Sequence, residues 1–530
     1  MTTSIRRPRS HESRRGILLL FIGLILAMLL AALSQTVLSA AMPTMVGELG
    51  GVDQMLWVMT AYILASTIMM PVYGKMSDLI GRKGPLIAAI LLFVAGSVLG
   101  ALAPDMGWLI AGRVIQGLGG GGLMILSQAI IADVIPARER GKYMGVMGAV
   151  FAVSSVAGPL LGGWLTEQVD WRWTFWMNVP LGLIALAAAI ALLHLPQGTV
   201  SKPKIDVAGM VTLAGATACL ILVASWGGND FAWNSPVIIG LGIATVVLTV
   251  LFVFAERRAA EPIIPPVLFR QRNFTLTTAA GLLIGVTMFG AIGYLPTLLQ
   301  MTFGADPTVA GLLMVPMMGA MLVSSLVSGW LVSAYGRYKW MPLVGALLIA
   351  GGLALLGILT PETPLWQFCI YLGLMGIGLG VNMQILVLIV QNSFPNRVVG
   401  TATASTNFFR QIGASLGSAV IGSLFTVRLV TIIGDALQPE EAAQLGDISS
   451  LTPHAVLDLP AHLYDVVVHG FNDALTPLFI AMVPLALIAF ALLCFVKEVP
   501  LKTTIDRDIV PESLAEGQLV IEPEDADDVR

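Results

Sequence analysis

Residues 74–83 read Gly74-Lys75-Met76-Ser77-Asp78-Leu79-Ile80-Gly81-Arg82-Lys83, and residues 329–339 read Gly329-Trp330-Leu331-Val332-Ser333-Ala334-Tyr335-Gly336-Arg337-Tyr338-Lys339. The Gly–Gly–Arg spacing is the same in both, at an offset of 255 residues. A second pair repeats the relation. Pro136-Ala137-Arg138-Glu139-Arg140-Gly141 and Pro395-Asn396-Arg397-Val398-Val399-Gly400 lie 259 residues apart. Two matches at nearly one offset imply two homologous halves. Each charged loop is flanked by long apolar runs, so the halves are bundles of helices solvated by lipid.

Composition says the same. Of 530 residues, 56% are hydrophobic and 11% charged, where a soluble chain carries roughly 25% charged residues. Mean hydropathy is +0.86. A soluble enzyme, a disulfide scaffold and a disordered chain are excluded. A helix needs about 20 apolar residues to cross hydrocarbon. Fourteen stretches qualify: 16–41, 55–73, 86–103, 108–133, 144–166, 173–194, 207–226, 236–255, 274–298, 309–332, 341–360, 366–391, 401–427 and 474–496. No small-residue cleavage site follows the first, so it is expected to be retained.

The expected fold is an all-α membrane protein. Two six-helix pseudo-repeats, residues 16–200 and 274–496, flank two inserted helices in 201–273. Residues 1–15 form an N-terminal segment, 428–470 an acidic outer loop, and 497–530 an acidic tail expected to be disordered. With the N-terminus in the cytoplasm, 24 of the 28 Lys and Arg residues fall on the cytoplasmic side. The positive-inside rule therefore places both termini there. Parallel repeats of this kind are a transporter design, with a substrate site between the halves near the midplane.

Four motifs, in order, sharpen this. They are the 74–83 loop, "LIAGRVIQGLGGGG" (109–122), "GAVFAVSSVAGPLLGGWL" (148–165) and "WRWTFWMNVPLG" (171–182). Across residues 16–500 the chain resembles the major facilitator superfamily, and within it the 14-span drug:proton antiporters. The resemblance implies alternating access, export of amphipathic small molecules (multidrug efflux), and a proton gradient as energy source with no bound cofactor.

The resemblance and the residues together nominate sites. Gly74 and Gly81 permit a tight turn, so that Asp78 and Arg82 can pair beside Lys83 and latch the halves on the inner face. Gly329, Gly336 and Arg337 are the second copy. Arg113 lies within a span, where a charge must face protein or water; the resemblance gives it a coupling role. Gly158, Pro159, Gly162 and Gly163 match the antiporter motif, which in that family shapes the moving interface. Arg410 and Gln411 have no counterpart in the first half, where apolar Phe151 stands. Ser34, Gln35, Gln116, Asn407 and Asp133 complete the expected cavity and coupling set.

One departure matters. These antiporters commonly carry Leu-Asp in span 1, and here Leu33-Ser34 stands instead. No carboxylate replaces it near the middle of a span. A chamber offering Arg113 and Arg410 suits an apolar, zwitterionic or anionic substrate better than a dication, and protons would have to use Asp133 or Asp78. The expected partners are an amphipathic or lipid-like substrate, protons and the bilayer, with no nucleic acid and a monomeric chain in a cytoplasmic membrane. Export of lipids or envelope metabolites, or a non-transporting sensor, are the alternatives. Cys219, Cys369 and Cys494 have no metal-ligand spacing, so no metal is expected. No constellation for catalysis and no phosphate-binding loop is present, which argues against an enzyme or a primary pump.

Overall fold

The computed structural model describes residues 14–51, 54–193, 204, 206–228, 231–437, 456, 459–501 and 503. The segment before residue 14, the tail beyond 503, Asp53, His194, Lys202 and most of the 438–458 stretch lie outside the described residues. Fourteen long helices follow one another. They are α1 (Arg14–Leu49), α2 (Met55–Ile80), α3 (Lys83–Ala101), α4 (Met106–Val134), α5 (Ala137–Gln168), α6 (Trp173–Leu192) and α7 (Val207–Trp226). Then come α8 (Pro236–Arg258), α9 (Arg272–Thr302), α10 (Thr308–Tyr335), α11 (Trp340–Leu356), α12 (Leu365–Asn392), α13 (Asn396–Ala436) and α14 (Ala461–Cys494). Thirteen are long and apolar enough to cross a membrane, and α11 is a shorter apolar helix. The fold expected from the sequence is therefore present.

Proline punctuates several of these. In α9 and α10 the helix is interrupted just before Pro296 and Pro316, where a backbone donor is missing. Two boundaries differ from expectation. The loop placed at 428–470 is shorter, because α13 and α14 continue past their apolar stretches. Ile433, Val467 and Phe471 bury against one another there, so packing extends the helices beyond what hydropathy marks. At its other end α13 starts directly after Pro395. Arg410 is then about 21 Å from that end rather than the shorter depth the apolar run suggested.

Helices α4 and α12 are the most buried. Lipid tails are as apolar as leucine, so helices associate where backbones can approach closely. A Cβ on Gly117 would stand 2.6 Å from the Tyr62 carbonyl of α2. One on Gly119 would collide with the Ala89 and Phe93 backbone of α3. In α12, a Cβ on Gly378 would stand 2.5 Å from the Gly345 carbonyl of α11, and one on Gly376 or Gly380 would strike α10 at Met317 or Met321. Positions 117, 119 and 121 and positions 376, 378 and 380 differ by 259. The duplication thus reaches the core glycines.

Helices α1–α6 pack on one another, as do α9–α14, and α7 with α8 forms a hairpin. The hairpin leans on α2 and α13: Trp57 meets Trp226 edge-on at 5.7 Å, and Leu213 packs with Phe408 and Ile412. Its return to α9 is pinned by a Lys75–Glu261 ion pair of 2.6 Å. With fourteen alternating helices, α1 begins and α14 ends on one face, called here the basic face. Residues just after α14 bond to loops of that face: Asn273 Nδ2 donates to the Lys497 carbonyl at 2.8 Å, and Tyr338 N donates to Glu498 at 2.8 Å.

Gly119→Leu places a branched side chain into the α3 backbone. It is expected to destabilise the protein by about 3 kcal/mol, read as a lower melting temperature in detergent; an unchanged melt would contradict the close approach.

Candidate functional site

The site is the surface along which α1–α6 meet α9–α14. At the basic face, Asp78 ends α2 and Arg82 follows the turn at Gly81, whose φ is +91°. Their side chains are 4% and 5% exposed, with Arg82 Nη1 to Asp78 Oδ1 at 2.5 Å. Arg82 Nε also donates to Asp133 Oδ2 of α4 at 2.9 Å. Burial alone would lower the Arg82 guanidinium, but the Asp78 and Asp133 carboxylates outweigh it and hold it above its ordinary value.

Asp78 does more than pair. It accepts from Thr401 N at 2.7 Å, Thr401 Oγ1 at 2.6 Å and Gly400 N at 3.1 Å. These donors belong to α13, so a carboxylate from the first six helices is bound by the last six. Arg82 Nη2 adds a bond to the Asn396 carbonyl at 3.4 Å. The expected pair exists, and it bridges the halves. Lys83 does not take part: its Nζ donates to the Ile190 carbonyl of α6 at 2.7 Å.

The second copy is built differently. A Cβ on Gly141 would stand 2.7 Å from the Gly329 carbonyl, and one on Gly145 2.6 Å from the Ser325 carbonyl. Backbones of α5 and α10 therefore touch. Gly336 ends α10 in the left-handed region with φ +73°. Ser333, where Asp78 stands in the first copy, bonds back to its own helix at the Gly329 carbonyl. The tie is instead Arg138, donating to the Ser333 and Ala334 carbonyls at 3.4 and 3.3 Å. Arg337 makes no hydrogen bond among the described residues.

Further from the basic face runs a chain of polar groups. Arg410 Nη2 donates to Asn407 Oδ1 at 2.6 Å, and Asn407 Nδ2 donates to Gln128 Oε1 of α4 at 3.0 Å. Gln391 of α12 donates to the Gln128 carbonyl at 3.2 Å. Ser325 Oγ donates to the Gly145 carbonyl at 3.1 Å, and Gln384, with its amide turned to suit, joins Met144 O and Gly148 N. Among the described residues, every hydrogen bond between the two groups of six helices lies in this basic-face half. Gln411 is partly buried beside Arg410 with no described bond.

Arg113 faces protein, as a charge within a span must. It is 1% exposed and sealed inside α1, α2 and α4 rather than open to a chamber. Nε donates to the Val58 carbonyl at 3.1 Å, and Nη1 to Ser34 Oγ at 3.0 Å and Gln116 Oε1 at 2.5 Å. Gln116 donates on to Ser97 at 2.8 Å. The guanidinium lies 4.2 Å from the Tyr62 ring centroid, a cation–π contact; the Tyr62 hydroxyl donates to the Ala31 carbonyl at 3.3 Å. All its partners are neutral. Ser34 thus meets Arg113 directly, and Arg410 alone of the two keeps accessible surface.

The antiporter motif packs α5 on α1 within one half. A Cβ on Gly158 would collide with Thr36 and one on Gly162 with the Val37 carbonyl. Pro159 is exposed and Gly163 faces open space. Sequence reading missed the other edge of α5, where Gly141, Gly145 and Gly148 recur at intervals of four and three against α10. That spacing was visible. Thr401, Gln391 and Tyr62 carried no such signal.

The chain belongs to the Major Facilitator Superfamily, whose family model matches residues 24–418. It is accordingly a multi-pass membrane transporter. A transporter of this type from Mycobacterium tuberculosis, itself uncharacterized, is 39% identical over 99% of this chain and 76% of its own length. The multidrug transporter protein MdtP of Bacillus subtilis is 36% identical over 87% of this chain and 89% of its own. Multidrug resistance protein 3 of the same organism is 32% identical over 91% and 96%. The human organic anion transporter MFSD10 shares the fold, with a TM-score of 0.57 at 15% identity over 91% of this chain and 99% of that one.

The Asp78–Thr401 contact is testable. Asp78→Asn should cost about 3 kcal/mol, and a cycle with Thr401→Val should show a coupling of about 1 kcal/mol in melts of the purified protein. Strict additivity would place the two residues out of contact.

Proposed function

We propose that the chain exports amphipathic small molecules by alternating access, in exchange for protons. Its membrane is the cytoplasmic one, with the basic face toward the cytoplasm. One observation carries the reading: the inter-half hydrogen bonds gather at the basic face, around a buried ionic latch that must break for that face to open. The structure then corresponds to a state closed toward the cytoplasm. The Arg410–Asn407–Gln128 chain lies where the closed half ends, which suits contact with a substrate held between the bundles. The Bacillus relatives named for multidrug transport support the substrate class.

Protons act at Asp78 and Asp133, the carboxylates of the latch. Protonating either removes a partner of Arg82 and weakens the contact with α13, so proton binding favours opening of the basic face. Arg113, buried among neutral partners, does not exchange protons and serves as a fixed positive charge in the first six helices. Arg410 favours substrates that are apolar, zwitterionic or anionic.

Proteoliposomes with an imposed pH gradient test this by dye flux. The gradient should accelerate flux, Arg410→Ala should slow it about tenfold (roughly 1.4 kcal/mol), and a permanent dication should not be carried. Flux indifferent to the gradient would remove the exchange with protons. Rapid dication flux would remove the substrate-charge reading.

A further inference from the structure

A cavity lies away from the surface between the halves. It has a volume of about 430 Å³ and is lined by Leu213 and Thr217 of α7, Thr249 and Phe252 of α8, and Phe408 and Ile412 of α13. That size falls within the range of small-molecule sites, roughly 300–1,000 Å³. Asn407, which Arg410 holds, reaches Gln128 of the other half, whereas Phe408 and Ile412 pack on the hairpin, so the two sites share α13 but use different sides of it. The outer wall is α8, the least buried of the helices, and the cavity therefore stands at the lipid boundary.

Its walls are apolar with a few hydroxyls, and one acid lines it. Glu256 is 2% exposed, and its two oxygens accept from Ile263 N and Ile264 N, each at 3.1 Å. A carboxylate offers about four acceptor positions, so two remain for a ligand. Asp206 faces Glu256 across Gly209: a Cβ on Gly209 would collide with Asp206 Oδ2 and stand 2.9 Å from Glu256 Oε1. Asp206 Oδ1 takes the Gly209 N–H at 2.8 Å, and Oδ2 is buried with no hydrogen-bond partner. Two cations lie nearby, and neither forms an ion pair with Glu256 or Asp206 among the described residues. Lys75 is committed to Glu261, and Arg257 lines the rim with its side chain exposed.

We infer that this cavity binds a cationic amphiphile, its hydrocarbon body between α7, α8 and α13 and its ammonium head donating to Glu256. The apolar walls replace lipid around the body. The head meets a carboxyl group whose protein donors leave acceptor positions unfilled. Binding here does not depend on transport, so it stands or falls by itself.

The test uses the full chain in lipid nanodiscs and a photoreactive hexadecylammonium probe, with adducts mapped by peptide mass spectrometry. Adducts should fall on α7, α8 and residues 408–412. Unlabelled hexadecylammonium should compete about tenfold better than hexadecanol or hexadecyl sulfate. Glu256→Gln, which keeps an acceptor for the Ile263 and Ile264 N–H groups, should erase that preference and leave the adducts in place. Thr217→Trp should fill the cavity and abolish them. Adducts scattered over lipid-facing helices, or a head preference that survives Glu256→Gln, would overturn the assignment; the wild-type map and Glu256→Gln decide it even if the tryptophan variant does not fold.

Discussion

Hydrocarbon gives helices no hydrophobic reason to associate, and the whole assembly depends on how near one backbone can come to another. Glycine sets that distance here. Within the first six helices, Gly117, Gly119 and Gly121 let α2 and α3 reach α4 from two sides. The same positions of the second copy do so for α12. Between the copies, Gly141 meets Gly329, and a Cβ on Gly74 would stand 2.8 Å from the Gly400 carbonyl. Any larger side chain at these points would move a helix axis and, with it, every polar contact built across the boundary.

The charged groups exploit that closeness and differ between the copies. On the α2 and α13 side a buried carboxylate gathers four donors, and hydrogen bonds to charged groups contribute about 1.5–3 kcal/mol each. On the α5 and α10 side the contact is mostly steric, with an exposed Arg138 at its edge. A duplicated chain has thus kept its geometry on both sides and its ion pair on one. The two sides thus match in shape and differ in charge. Helix α13 unites these elements. Its beginning holds the latch, its middle holds Asn407 and Arg410, and its far side supports the α7–α8 hairpin.

Much of this was legible in the residues. Fourteen helices, the duplication and the Asp78–Arg82 pair all follow from hydropathy, loop charge and spacing, because each is a local pattern. Ser34 was recognised as a departure, but its direct contact with Arg113 was not, since three helices must come together before one residue meets the other. The depth of Arg410 was underestimated because hydropathy cannot see that a helix begins at a proline before its apolar stretch does. Lys83 and Gly163 were grouped with their motifs by adjacency, and the fold directs them elsewhere. Thr401 and Gln391 had no signal, being ordinary polar residues whose importance comes from what lies opposite.

Arg113 carries one more consequence. A guanidinium deep in hydrocarbon with only neutral neighbours projects an unscreened positive potential. At an effective dielectric of 20 it repels a monovalent ion 8 Å away by about 2 kcal/mol, which cuts that ion's occupancy roughly thirtyfold. A small cation at that distance feels this repulsion, while a neutral organic molecule does not. The caged arginine thus gives the first six helices a fixed positive potential that disfavours cations near it and leaves neutral molecules untouched.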